Sequence, residues 1–318
     1  MRHVLHAFLF MYCALGAGCN RGGTPPGEAL DYAQLLSLYA DPLRIARLDV
    51  EQAEIVSSVD PGGGNNDFNN FAGREGEGLA VLADLKGPGV VTRFWTTGGG
   101  GAKQRLQFFF DDESTPRIDA TVEELSKGRP PFDAPLSRSE QSCWWTYVPI
   151  PFNKRLKIVA ETDNFTHEGW PRLFYQVNHS RSPKGQGVES FPVGLNSEQA
   201  LALKTFSSVW ATGGHAADGT LMDPMVIAAG ESKTVFSAEG PELISALRVR
   251  IENLTLAEHL WISIYWDGEA QASVSLPLPL LAGKVWLAPR FESAYFGQRG
   301  QEFFLRYPMP FKGHARVQ

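Results

Sequence analysis

The chain has 318 residues, 43% of them apolar and 20% charged, with a formal net charge of -6 and a pI near 5.7. An acidic balance without a Lys/Arg cluster offers nothing to neutralise phosphates, which excludes nucleic acid as a partner. Three cysteines leave no disulfide framework, while 20 Phe, 32 Gly and 21 Pro suit a large core built from many short strands joined by turns.

Met1-Arg2-His3 gives a basic start, residues 4–15 are an apolar run, and Gly16-Ala17-Gly18 place small residues before Cys19. This is the pattern of an export signal, too short for a spanning helix. The small residues before Cys19 resemble a bacterial lipobox, which makes Cys19 the candidate for lipidation and for a membrane anchor. The expected location is the bacterial cell envelope or, after ordinary cleavage, the extracellular space. Residues 20–28 read as a Gly/Pro tether, and Leu30, Ala33, Leu36 and Leu38 predict a short helix closed by Asp41-Pro42. From Ile45 onward the chain turns to strand-like runs. Strands are predicted at 79–85, 90–96, 106–110, 147–150, 156–160 and 173–177, then at 232–236, 243–251, 260–266, 272–276, 303–307 and 315–317. Helical periods are nearly absent after residue 40, and 178–231 reads as an extended connection.

A recurrence organises these strands. The stretch GPGVVTRFWTTGGGGAKQRLQFFFDDE from Gly87 is echoed by GPELISALRVR from Gly240 and IYWDGE from Ile264. Pro88, Asp111 and Pro151 correspond to Pro241, Asp267 and Pro310, at offsets of 153, 156 and 159. Three landmarks in one order at nearly one offset indicate two copies of one β-rich unit. The expected fold is all-β, two tandem jelly-roll β-sandwiches with a short N-terminal helix. The expected segments are a signal peptide at 1–19, tether and helix at 20–44, a first jelly-roll at 45–195 and a second, incomplete one at 196–318. The second copy stops where the first continues into another strand, so either another segment completes it or the chain is a shortened version of a longer ancestor.

The loop Ser57, Ser58, Asp60, Gly63, Gly64, Asn65, Asp67, with Trp95, Asp111, Glu113, Pro151-Phe152 and Leu173-Phe174-Tyr175-Gln176-Val177, resembles glycoside hydrolase family 172. The resemblance implies tandem jelly-rolls assembling into homotrimers or hexamers, and retaining action on fructo- or arabinofuranosides without a cofactor. It also implies a Gly-Thr-Gly-Thr-Glu-Asp-Tyr-Phe motif in the second unit, whose Glu serves as a catalytic carboxylate. At that place this chain has Val274-Ser275-Leu276-Pro277-Leu278-Pro279-Leu280-Leu281, so no catalytic residue carries over.

A retaining glycosidase needs two carboxyls about 5–5.5 Å apart. Asp60, Asn65 and Asp67 offer sugar-compatible acceptors and donors on a Gly-rich backbone, set against a turn capped by its own Asx side chains or a Ca²⁺ loop without EF-hand spacing. Asp267 and Glu269 end the strand equivalent to the one ending in Asp111 and Glu113, and a requirement of the turn competes with a role at a sugar. Glu124 is a cleft candidate against a solvated face. Trp95 is the principal stacking candidate, with Trp144, Trp145 and Trp266 beside it, against a place in the core. Cys143 reads as an apolar filler. No spacing fits zinc, a phosphate loop or a serine elbow. Two functions stand: a furanoside-acting hydrolase, and a non-catalytic carbohydrate-binding surface lipoprotein of the same fold.

Overall fold

The computed structural model describes residues 5–13, 29–46, 52–128, 130–140, 143–181, 187–212, 220–221, 225–285 and 291–318. Cys19 and the expected tether lie outside them. The chain divides into two compact units, one chiefly Leu48–Ser207 with the segment up to Ala40, the other chiefly Ser208–Gln318 with Asp41–Arg47 and the N-terminal strand. Among the described residues no helix is long and apolar enough to cross a membrane.

The N-terminal strand is β1 (Leu5–Cys13), followed by α1 (Tyr32–Ala40), whose Tyr32, Leu35 and Leu36 are buried. The first sandwich then runs β2 (Gln52–Ser57), β3 (Gly73–Arg74), β4 (Leu79–Lys86), β5 (Gly89–Gly98), β6 (Arg105–Phe110), β7 (Ile118–Thr121), α2 (Val122–Ser126), β8 (Ser137–Glu140), β9 (Cys143–Thr146), β10 (Ile150–Phe152), β11 (Arg155–Glu161) and β12 (Leu173–Arg181). One sheet has the order β2-β12-β5-β9-β8 with β10 also on β5; the other has the order β3-β4-β11-β6-β7. The chain crosses repeatedly between the two sheets, as a jelly roll does. Alternation fills the space between them: Phe94, Phe108, Phe110, Trp144, Phe152, Ile158 and Val177 are all at most 1% exposed. This apolar burial is the main force holding the sandwich. The expected strand at 147–150 is instead two, β9 and β10, parted around Pro149, which has no N–H for a ladder.

After α3 (Ser197–Thr212) the second sandwich runs β13 (Thr220–Leu221), β14 (Met225–Ile227), β15 (Phe236–Glu239), β16 (Glu242–Ile251), β17 (Trp261–Trp266), β18 (Val274–Pro277), α4 (Leu278–Leu281), β19 (Phe296–Arg299), β20 (Glu302–Leu305), β21 (Met309–Phe311) and β22 (His314–Val317). Its sheets are β13-β1-β16-β20-β19, joined by β14 and β21, and β15-β22-β17-β18. Two expectations are corrected. The connection is not wholly extended, since α3 has 16 residues, and the strand expected at 232–236 begins only at Phe236.

The repeat holds pair by pair. Phe94↔Thr146 returns as Leu247↔Leu305, Ile150↔Val91 as Met309↔Ile244, Leu156↔Phe110 as Ala315↔Trp266, and Phe108↔Ile118 as Ile264↔Val274. These are the offsets read from the sequence, now carried by every ladder that both copies share. Both strand-opening Gly-Pro bonds, Gly87-Pro88 and Gly240-Pro241, are cis.

Candidate functional site

The expected site residues fall into two groups, those that hold turns and those that face solvent across a sheet. Asp267 belongs to the first. It sits at φ 48°, and its Oδ1 accepts backbone N–H groups from Lys312, Gly313 and His314 at 3.1, 2.6 and 3.1 Å. Those bonds, Gly313 first and His314 next, hold its carboxyl below the usual carboxylate range. Asp111 repeats the device at φ 51°, accepting from Lys154 N at 2.7 Å and from the Ser190 hydroxyl. Burial works to raise Asp111, but the Ser190 and backbone donors outweigh it and the carboxyl stays below its ordinary value. Glu269 turns back on its own hairpin, accepting from Ser273 Oγ at 2.6 Å. Glu124 closes a capping box on α2: its Oε2 accepts from Thr121 N at 2.8 Å while Thr121 Oγ1 accepts from Glu124 N at 3.2 Å. Asp267 and Glu269 thus hold turns, and Glu124 caps a helix.

Asp60 and Asp67 share one loop. Asp60 Oδ1 accepts from Gly62 N at 2.8 Å, and Asp67 Oδ1 accepts from Asp60 N at 2.8 Å. The Asx turn read as one alternative is thus present, and both carboxyls hang on it. Asn65 lies at the exposed crest of the loop. Below it, Asn70 Nδ2 donates to Ser58 O and Asn66 O at 2.8 and 2.6 Å, and Asn70 Oδ1 meets His167 Nε2 at 3.0 Å. Buried Asn69, at φ 56°, donates to Thr166 O and Pro171 O at 2.9 and 3.1 Å. Loop 58–70 is thereby laced to loop 162–172, where Trp170 is 74% exposed and the Arg172 guanidinium lies 5.6 Å from its ring.

This laced rim opens onto the outer face of the first sandwich. Trp95 lies between Phe94 and Thr96, both buried, so it points away from the core. Trp145 lies between buried Trp144 and Thr146 and points the same way. The register places the two directly opposite each other, and a single row across four ladders reads Ser57, Gln176, Trp95, Trp145, Arg138. Directly opposed cross-strand residues have Cβ atoms about 4.5–5.5 Å apart, so the two side chains leave the sheet side by side. Arg93, on the same face of β5, donates from Nη1 to Gln176 Oε1 at 2.7 Å and to Asn178 Oδ1 at 3.1 Å.

Two neighbouring outward indoles edged by amides and a guanidinium can stack the apolar face of a sugar and bond its hydroxyls. Trp95 is thus an outer-face residue, while Trp144 is core. Cys143, expected as a filler, is partly exposed on the outer face, in the row of Thr97. Arg93, Gln176 and Asn178 were not among the expected site residues. Their signal is the period-two alternation counted outward from Trp95, together with the ladder register that sequence alone does not give. Among the described residues no group of three His, Cys, Asp or Glu is placed to hold a metal ion.

No curated protein matches the chain. Two family models do: residues 49–199 match the GH172 first beta-sandwich domain, and residues 218–318 match a GH172 domain-like model. The matches cover both sandwiches except β1, with the boundary between them lying in the connection that carries α3. The chain belongs to glycoside hydrolase family 172.

Proposed function

We propose that the protein is an exported, envelope-anchored carbohydrate-binding member of this family, with the Trp95–Trp145 row as its sugar platform and loop 58–70 as its rim. Its ligand is a furanoside chain, of fructo- or arabinofuranosyl units. The observation that carries the reading is the pair of half-buried, outward-pointing tryptophans directly opposed on β5 and β9, beside Arg93, Gln176 and Asn178. Export by the apolar N-terminus, lipidation at Cys19 and assembly into a homotrimer or hexamer belong to the same reading.

Hydrolysis with retention is the second reading, favoured by family membership and by two carboxyls, Asp60 and Asp67, held on one turn at the rim. The first reading ranks above it because the place expected to hold a catalytic Glu carries the apolar Val274-Ser275-Leu276-Pro277-Leu278-Pro279-Leu280-Leu281. The experiment is a binding and turnover panel on the full-length protein with fructans, arabinans and aryl furanosides. Binding without sugar release supports the first reading. Release of a single sugar, abolished by Asp60→Asn with Asp67→Asn, supports the second, and no binding to any member removes both. Sedimentation as a monomer at micromolar concentration removes the assembly.

A further inference from the structure

The second sandwich is closed by a strand from the opposite end of the chain. In the first sandwich the position beside β5 is filled by β12, which follows β11 directly in sequence. The counterpart of β11 is β22, yet the position beside β16 is filled by β1. The substitution is residue for residue. Val177↔Phe94 becomes Met11↔Leu247, and Leu173↔Gly98 becomes Ala7↔Ile251. Even the irregularity recurs: β12 shifts register between Asn178 and His179, and β1 shifts between Tyr12 and Cys13, at matching points of β5 and β16. The outer neighbour is matched too, β2 on β12 being answered by β13 and β14 on β1.

We infer that the second sandwich holds a strand-acceptor groove, bounded by β16 on one side and by β13 and β14 on the other, and that its occupant in the unprocessed chain is Leu5–Cys13. The groove's ligand class is an extended apolar peptide of about nine residues, running antiparallel to β16. The segment LHAFLFMYC has no acidic, Lys or Arg residue and no Pro or Gly, as a strand with ladders on both sides requires. Leaving the position empty strips one side of β16, whose Ile244, Ala246, Leu247, Val249 and Ile251 are at most 2% exposed and form part of the core. An open edge on such a strand recruits another strand. The inference is independent of the sugar platform, but it uses residues that an export peptidase would remove. A chain that keeps them has a closed sandwich, and a chain that loses them has a vacant groove.

The test is a disulfide in the full-length chain, refolded in vitro with Cys13, Cys19 and Cys143 changed to Ser. Phe10→Cys with Arg248→Cys joins two residues that the ladder places opposite each other, and oxidation should cross-link them, as read by mass spectrometry of the digest. The control, Phe10→Cys with Val249→Cys, is one residue out of register and should cross-link at least tenfold less. In a second arm, Leu9→Pro should speed amide exchange across β16 at least tenfold. A peptide of residues 4–14 flanked by lysines should restore protection, and the same peptide carrying the proline should not. Equal yields in the two cysteine pairs overturn the pairing whatever Leu9→Pro does. A good cross-link without rescue by the peptide overturns the acceptor groove.

Discussion

Asp111 and Asp267 are left-handed residues that end a strand and then accept the backbone N–H groups of the next ladder, so one side chain both permits the turn and satisfies its donors. Because the Asp111 carboxyl lies below its unfolded value, its contribution to stability is complete above the ordinary carboxylate range. It is lost as pH falls through the lower folded-state value. Asp111→Asn keeps a residue tolerant of positive φ while removing the charge. It should cost about 1.5–3 kcal/mol at pH 7 and flatten the acid limb of a denaturation series, and an unchanged acid limb would refute the assignment. At the platform, Trp95→Ala and Trp145→Ala should each weaken furanoside binding by about 1–2 kcal/mol, roughly 5- to 30-fold, in calorimetric titration, with the fold intact by circular dichroism. Both aspartates were visible in the sequence as repeat landmarks, but their duty was not, because it depends on donors about 45 residues away in the chain. Trp95 was legible as a candidate. Its partners were not, since ladder register decides which side chains share a row.

Gly98 shows how an element fixes the rim. It ends β5 at φ 76°, and a Cβ there would lie 2.0 Å from Arg172 O, the start of the strand that follows the second rim loop. Gly98→Ala should therefore cost about 3 kcal/mol and lower sugar affinity together with the melting temperature, whereas Gly230→Ala, at φ 81° with open space around it, should cost only the left-handed strain of about 1–2 kcal/mol. Thr121→Ala, which removes the cap of α2, should cost about 1 kcal/mol in thermal melts while leaving sugar binding intact. The longer strands β4, β5, β6, β11, β16 and β17 were legible within a residue or two, whereas β7 and β9, four residues each, were not. The strands β8 (SRSE) and β19 (FGQR) escaped because neither sequence alternates apolar with polar residues. The helix α3 escaped because only Phe206 of its 16 residues is buried, so no apolar stripe announces it. Its one clear signal is local: Asn196 Oδ1 caps Gln199 N at 2.9 Å while the Gln199 side chain bonds back to Asn196 N at 3.1 Å.

For the molecule as a whole, the doubling was readable because its three offsets survive in the residues that the turns require, glycine-proline pairs and aspartates. The strand beside β16 was not readable, because residues 4–15 carry an apolar composition that serves a leader and a central strand equally well. Composition cannot separate these uses; only the ladder partners can. Since the sugar platform belongs to the first sandwich, Leu9→Pro should change furanoside affinity less than twofold in calorimetry even as it unprotects β16. A larger change would tie the two sandwiches together.

The pairing of β1 with β16 also sets an order of events during synthesis. Ala7 meets Ile251, so the first strand made must wait for a partner translated about 240 residues later. At about 5–20 residues per second that interval is on the order of tens of seconds. Closing so long a loop is also the slow, entropically costly kind of contact. Throughout the wait the N-terminal apolar segment is free of its ladder while the first sandwich can already condense. If the segment also serves the export proposed above, the export machinery meets it before β16 exists to pair with it.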